Sequence, residues 1–230
     1  MAGVSRLQYS TEIRLIRVMC SGRVDLEFIL RAFSNGADGV FIGGCRLDEC
    51  NYITHGNYDA LSNVLIFKKV MAHIGLIPER LKIEFMSSGD GILLAEVIND
   101  YCREVKEIGP LGASEGIDSP DLAFNLEAVN KLIPYIKLVE REKLRVPHKS
   151  EDAYHEFFSS KPVNRLIDEL IIDRLAVSRI MQLLRNKPMT TGEMSENLGF
   201  DPSQVARHLN TSSRHGLVRY DERMKRYELV

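Results

Sequence analysis

Short apolar runs alternate with longer helical patterns through the first half of this chain of 230 residues. Three of the runs predict strands because they are short, rich in β-branched residues and bounded by turn residues; they lie at 13–20, 39–45 and 81–87. Helical spacing of apolar residues follows each run, at 24–36, 58–76 and 89–109. Strand–helix alternation of this kind predicts an α/β fold, with a small parallel sheet and helical crossovers.

The second half follows a different pattern. Residues 113–165 are expected to be an α-helical linker, with a helix interrupted at Pro134 and a partly ordered stretch behind it. Residues 166–230 predict three helices and a hairpin, which is the order of a winged helix. We therefore expect three segments: 1–112, 113–165 and 166–230.

Capping residues support the winged-helix-like interpretation of the tail. Thr191 and Asp201 are the expected N-caps of its second and third helices, and Gly199 lies near the turn between them.

Charge also separates the two halves. Residues 161–230 carry 12 Lys and Arg against 9 Asp and Glu, whereas the first 160 residues carry 18 against 23.

The cellular location is expected to be cytoplasmic, with no membrane partner. No run approaches the roughly 18 consecutive apolar residues that cross a bilayer, and the first residues lack an apolar secretory signal. Reducing conditions disfavour disulfides, and clustered thiols then more often bind metal or do redox chemistry.

Three of the four cysteines are candidates for a shared site. Cys20 and Cys45 end the first two predicted strands, and Cys50 lies in the loop just beyond. Ligands of open α/β sheets bind at the carboxyl ends of the strands, where neighbouring strands are about 4.8 Å apart. The three sulfurs are therefore expected to converge on one metal centre.

The chemistry of that centre stays open at this point. Thiolates select zinc or iron–sulfur clusters, and the Cys-x-x-x-x-Cys spacing of Cys45 and Cys50 also occurs in plant-type 2Fe–2S ferredoxins. A 2Fe–2S cluster is favoured over structural zinc, a redox dithiol and simple packing. Cys102, inside a predicted helix, is interpreted as a small hydrophobe.

Four phrases of the sequence resemble the delta-subunit family of methyl-viologen-reducing hydrogenase, the iron–sulfur subunit that works with heterodisulfide reductase. They are IRVMCSGRVD, ILRAFSNGADGVFIGGC, DECNYITHGNYDA and LKIEFMSSGDGILLAEVINDYCREVKEIGP. The resemblance covers roughly residues 3–112, and the winged-helix-like tail is appended to it.

The resemblance implies that Cys20, Cys45 and Cys50 belong to the group that holds a 2Fe–2S cluster. It implies a non-catalytic electron-transfer subunit, with a hydrogenase, formate dehydrogenase or similar oxidoreductase as donor. The implied acceptor is the flavin subunit of a heterodisulfide reductase-like complex.

One departure from the family concerns the fourth ligand. Family members carry an upstream Cys-x-x-Cys segment, and this sequence begins at Met1, inside the phrase that follows that segment. Three explanations are open: a shortened gene prediction, a ligand from a partner or a non-cysteine group, or loss of the cluster. The first is favoured, and it predicts an in-frame Cys-x-x-Cys or Cys-x-x-selenocysteine upstream.

The tail supplies the alternative function, a redox- or metal-responsive DNA-binding transcription regulator. The side chains expected to face DNA are Ser203, Gln204, Arg207 and His208 on the third helix and Arg219, Arg223, Lys225 and Arg226 on the wing. A balance of only three positive charges makes protein docking the favoured role and nucleic acid the less favoured partner.

Overall fold

The computed structural model of the protein describes residues 7–52 and 55–230. Its helices are α1 (Leu26–Ser34), α2 (Asn57–His73), α3 (Gly91–Ile108), α4 (Ser119–Lys143), α5 (Glu151–Ser159), α6 (Lys161–Ile167), α7 (Asp173–Asn186), α8 (Thr191–Leu198) and α9 (Pro202–Arg214). Its strands are β1 (Val40–Gly44), β2 (Leu81–Phe85), β3 (Val218–Asp221) and β4 (Arg226–Leu229). No helix in these ranges is both long and apolar enough to cross a membrane.

The α/β prediction for the first half is confirmed, but the parallel sheet of the described chain has two strands rather than three. β1 pairs with β2 in parallel, from Val40 opposite Leu81 to Gly44 opposite Phe85. α2 supplies the crossover between them, as parallel pairing requires. Its buried side chains pack against β2 and against α1, α4 and α5.

The strand predicted at residues 13–20 is wrong, because this segment forms no regular secondary structure and pairs with neither strand of the sheet. Leu15, Ile16 and Met19 are 78%, 83% and 90% exposed. β-Branched content predicts a strand only where a layer of the fold covers the apolar side chains, and no such layer forms over this segment. Cys20 consequently does not end a strand.

Residues 113–165 are more ordered than the sequence predicts. α4 runs through Pro134 without interruption, since Ile133 and Ile136 on either side are fully buried in the core. Their burial offsets the roughly 3 kcal/mol that an internal proline costs a helix. The stretch expected to be partly ordered forms α5 and α6, which join the same core through Tyr154, Phe158 and other buried side chains.

The winged-helix-like tail is confirmed as three helices followed by an antiparallel hairpin, β3 with β4. It has its own core and packs through α7 against α4. Asp201 is the N-cap of α9 as predicted, and Gly199 ends α8 in the left-handed conformation. The N-cap of α8 is Thr190 rather than Thr191, because Thr190 forms a reciprocal capping box with Glu193.

A buried ion pair fixes the end of the α/β unit opposite the carboxyl ends of the strands. Arg80, fully buried at the start of β2, bonds both carboxylate oxygens of Glu115 at 2.5 and 3.1 Å. Its guanidinium also donates to the carbonyl groups of Asp38 and Gly109, at 2.9 and 2.8 Å. Every group of the pair thus has partners, which a buried charge needs.

We predict that Arg80→Met destabilises the fold by about 3–5 kcal/mol, because it leaves the Glu115 carboxylate buried and unpaired. Urea unfolding followed by circular dichroism measures the loss. Lys82→Met is the matched control, since Lys82 pairs with Glu104 at 3.0 Å on the surface and should cost less than about 1 kcal/mol. Equal losses in the two variants would contradict the assigned role of Arg80.

Candidate functional site

The cysteines Cys45 and Cys50 flank a short turn beyond the carboxyl end of β1. Cys45 follows Gly44 directly, and a single 3-10 turn, Leu47–Glu49, leads to Cys50. Leu47 is buried and anchors this turn in the core. The sequence-based placement of these two thiols at the strand end is therefore what the structure shows.

Cys20 reaches the same place by a different route from the one predicted. A 3-10 turn, Ser21–Arg23, follows it and packs between the end of β1 and the start of α2. The approach is so close that a Cβ atom at Gly22 would lie 2.5 Å from the carbonyl oxygen of Gly56, and one at Gly44 would lie 2.9 Å from Ser21 Oγ. Glycine is required at position 22 because a Cβ atom would collide with backbone, whereas a Cβ atom at position 44 would force the side chains of Ser21 and Phe85 to shift.

The three thiols interact with one another. The thiols of Cys45, Cys50 and Cys20 lie near enough to affect one another's ionisation, and burial, followed by the neighbouring Cys50 thiol, raises the pKa of Cys45. Burial alone would also raise the pKa of Cys50, but main-chain hydrogen bonds of Asn57 and Tyr52 lower it below its ordinary value. Within residues 7–52 and 55–230, no three His, Cys, Asp or Glu side chains form a group arranged to hold a metal ion.

Asn57, the first residue of α2, connects the helix to the thiol-bearing turn. It is fully buried, and its Nδ2 donates to the carbonyl oxygens of Cys45 and Arg46 at 2.9 and 2.8 Å. The same nitrogen lies 3.6 Å from Cys45 Sγ. The main-chain N–H of Asn57 at the helix N-terminus favours the thiolate of Cys50, whereas the pKa of Cys45 stays raised despite the nearby amide.

Two further features of the site bear on what it can hold. The hydroxyl of Ser21 is buried beside the thiols and has no partner among the described residues. A Cβ atom at Gly56 would lie 2.6 Å from Cys50 Sγ, so the backbone approaches this sulfur closely. Sequence reasoning missed Ser21 and the role of Gly56, although the Ser-Gly pair after Cys20 is a turn signal.

Known proteins match the first half of the chain. Residues 1–109 match the family described as methyl-viologen-reducing hydrogenase, delta subunit. The chain is 42% identical over 110 residues to an iron-sulfur subunit of F420-non-reducing hydrogenase from Archaeoglobus profundus, covering 48% of this chain and 80% of that protein. It is 42% identical over 120 residues to the corresponding vhc iron-sulfur subunit from Methanococcus voltae, covering 52% and 83%. The chain belongs to the delta-subunit family.

A larger relative contains the same segment. This relative is a subunit of the ferredoxin/F(420)H(2)-dependent CoB-CoM heterodisulfide reductase of Methanosarcina acetivorans, and it is 49% identical over 113 residues, which are 49% of this chain. The matched region spans only 14% of that protein's length. In this relative, a region similar to the delta-subunit segment is therefore one part of a much longer polypeptide.

The tail of this delta-subunit family member matches the bacterial regulatory protein family arsR over residues 176–220. Its predicted DNA-facing set is only partly available. His208 is buried, with Nε2 3.7 Å from Asp173, because it faces α7 rather than solvent. Arg207 is exposed but pairs with the same Asp173 at 2.9 Å.

The wing shows the same pattern of internal pairing. Arg219 pairs with Glu228 at 2.7 Å, and Arg226 with Glu193 at 2.8 Å. Across the ranges that the structure covers, no ion pair involves Arg223 or Lys225. Only these two wing cations are therefore ready to meet phosphate groups without losing an internal partner.

We predict that Asn57→Ala loosens the turn between Cys45 and Cys50, because two carbonyl oxygens lose their buried donor. The free energy of unfolding should fall by about 1–3 kcal/mol, and Cys45 in the folded, metal-free protein should be alkylated faster. Iodoacetamide labelling with mass spectrometry measures the rate for each cysteine.

Asn63→Ala is the matched control on the same helix. Asn63 Nδ2 donates to the carbonyl oxygen of Val24 at 3.4 Å and touches neither cysteine. That variant should leave the Cys45 labelling rate unchanged. An unchanged Cys45 rate in Asn57→Ala would show that the amide does not hold the turn.

Proposed function

We propose that this chain is an electron-transfer subunit whose Cys20, Cys45 and Cys50 hold a 2Fe–2S cluster. The observation that carries the proposal is that the turn after Cys20 packs against the end of β1 and the start of α2, beside the turn that carries Cys45 and Cys50. Such a cluster accepts and releases single electrons. The subunit itself performs no bond chemistry.

The residues present fit part of a cluster site. Thiolates are the ligands that iron–sulfur clusters use. Cys20, Cys45 and Cys50 would supply three of the usual four, although in the described chain they are not already arranged as a metal-binding group. Glycine at positions 22, 44 and 56 leaves no Cβ atoms in the way, and the Ser21 hydroxyl is available as a hydrogen-bond donor. The fourth ligand is proposed to come from outside these three cysteines.

The chain's own contribution would be to position the 2Fe–2S cluster and to set its reduction potential. Asn57 Nδ2, 3.6 Å from Cys45 Sγ, and the main-chain N–H groups at the start of α2 place partial positive charge beside the sulfurs. Hydrogen bonds to ligand sulfur stabilise the extra electron of a reduced cluster and so raise its potential. Leu47 and Ser21 are buried and form the core side of the site.

The flavin-bearing subunit of a heterodisulfide reductase-like complex is the proposed electron acceptor, as the family resemblance implies. The support is that a similar segment forms part of a longer polypeptide in the heterodisulfide reductase relative from Methanosarcina acetivorans. The exposed apolar side chains of Leu15, Ile16 and Met19 lie directly before Cys20 and offer contact area to such a partner. The proposed electron donor is a hydrogenase, by analogy with the two hydrogenase relatives. Formate dehydrogenase or a similar oxidoreductase is the alternative donor.

The alternative function, DNA binding by the tail, is supported by the arsR match at residues 176–220. The internal pairing of Arg207, Arg219 and Arg226 weighs against it, because each would exchange a carboxylate for a phosphate with little net gain. Docking of a protein partner is the role proposed for the tail.

Anaerobic reconstitution with iron and sulfide tests the cluster. We expect about two iron and two sulfide per chain and a paramagnetic signal after reduction, as for a 2Fe–2S centre. Each of Cys20→Ser, Cys45→Ser and Cys50→Ser should lower iron content or change the signal, measured by iron analysis and electron paramagnetic resonance.

Cys102→Ser is the matched control, because Cys102 lies on α3 and takes no part in the thiol contacts of Cys45 and Cys50. It should retain the wild-type iron content and signal. Iron content that is insensitive to all four substitutions would refute the proposed ligands. The experiment is run on the 230-residue chain and, where the gene encodes an in-frame upstream Cys-x-x-Cys, on that longer chain, which tests the origin of the fourth ligand.

A further inference from the structure

A cleft of about 330 Å³ lies where the tail meets the first core, far from the thiols. The end of α2 and the start of α4 form one wall, with His73 and Asn125. The other wall comes from the tail, with Arg179 of α7 and Phe200 of the turn between α8 and α9. The cleft is within the size range of small-molecule sites.

Arg179 is the unusual residue of this cleft. It is only 7% exposed, and its Nε has no hydrogen-bond partner among the described residues. Its single hydrogen bond is a long one, from Nη2 to the Leu198 carbonyl oxygen at 3.4 Å. In the described chain no carboxylate pairs with it, whereas buried Arg80 has two bonds to Glu115 and further carbonyl partners. A buried guanidinium normally has such partners.

Two more unpartnered polar atoms lie on the opposite wall. His73 Nε2 and Asn125 Oδ1 are buried and make no hydrogen bond within the described chain. Burial, followed by the charge of Arg179, lowers the pKa of His73, so its ring is neutral and Nε2 can donate or accept according to tautomer. Three orphan polar groups around one cleft are more than packing alone explains.

Packing accounts for part of the arrangement. The Arg179 guanidinium lies 4.9 Å from the centre of the Phe200 ring, and that ring lies 6.1 Å from the His73 ring. A cation–π contact of this kind, even when desolvated, offsets only part of the cost of burying an unpaired ion. Burial lowers the pKa of Arg179, with the charge of Asp121 opposing it. Asp121 is exposed at the edge of the cleft and forms no ion pair with Arg179.

We infer that this cleft binds a small anionic ligand, through a carboxylate or phosphate group that pairs with Arg179. The oxyanion supplies the charge that Arg179 lacks, and a neutral His73 donates a second hydrogen bond to it. The Phe200 ring forms an apolar side wall for the rest of the ligand. Asp121 at the edge disfavours a ligand of high negative charge. The ligand contacts α2 and α4 on one side and the tail on the other.

Isothermal titration calorimetry of the full chain with inorganic phosphate and, separately, with acetate tests the inference. Saturable heat at constant ionic strength is the signal to measure, because phosphate also stabilises proteins non-specifically by exclusion from their surface. We expect saturable binding of at least one of the two anions, and which of them binds more tightly distinguishes a phosphate from a carboxylate site. No saturable binding of either would overturn the inference.

Arg179→Gln should lower the affinity for the anion by at least about tenfold, as loss of a charge-assisted hydrogen bond does. The matched control is Arg174→Gln, because Arg174 lies on the same helix and also faces a ring, that of Tyr135 at 5.3 Å, but is exposed. The anion affinity of Arg174→Gln should stay within about twofold of wild type, since Arg174 offers no buried contact to the anion. Equal effects of the two substitutions would overturn the inference.

Arg179→Met separates binding from folding. Replacing an uncompensated buried cation by an apolar side chain of similar length should leave the urea midpoint of the ligand-free protein equal or higher. Anion binding should nevertheless be lost. A large fall in that midpoint would show that Arg179 serves the fold in the ligand-free state, and the inference would then be wrong.

Discussion

The main constraint on the thiol site is the burial of Asn57 at the first position of α2. One side-chain nitrogen fixes two carbonyl oxygens of the turn that carries Cys45, and the helix N-terminus above it is directed at Cys50. Gly56, the N-cap of the helix, provides no side-chain cap, and the main-chain N–H of Asn57 instead lowers the pKa of Cys50. The geometry of the cysteines and the start of the crossover helix are therefore set by the same few contacts.

Convergence of the third thiol depends on backbone contact rather than on sheet pairing. Neighbouring strand ends would bring thiols together at the spacing of a sheet, but Cys20 belongs to no strand. The Ser21–Arg23 turn instead packs directly on the backbone of Gly56 and Gly44, at distances that exclude a Cβ atom. A three-residue turn between glycines therefore replaces a third strand.

Hydrophobic periodicity correctly predicts the elements of the α/β unit that bury one face. It fails where burial depends on residues that are distant in the sequence. β1, β2 and the first three helices follow from local pattern and glycine positions. The 13–20 segment has the composition of a strand but no covering layer, and Pro134 is tolerated because its neighbours fill a core that the local sequence does not reveal. The same limit explains why the burial of Arg179 cannot be predicted from the sequence, since it arises only where the two cores meet.

α2 connects the two sites of this molecule, because it begins at the thiols with Asn57 and ends at the cleft with His73. Its 17 residues, at about 1.5 Å each, make a rod about 25 Å long. At an effective dielectric constant of about 20, two unit charges about 25 Å apart interact by less than about 1 kcal/mol, so a change of charge at the sulfurs has only a small direct effect on Arg179. The helix is also buried along most of its length and held by the core on several sides. Any coupling between the sites would therefore require α2 to move as a rigid body against α4 and the tail. Such a movement would change the shape of the cleft.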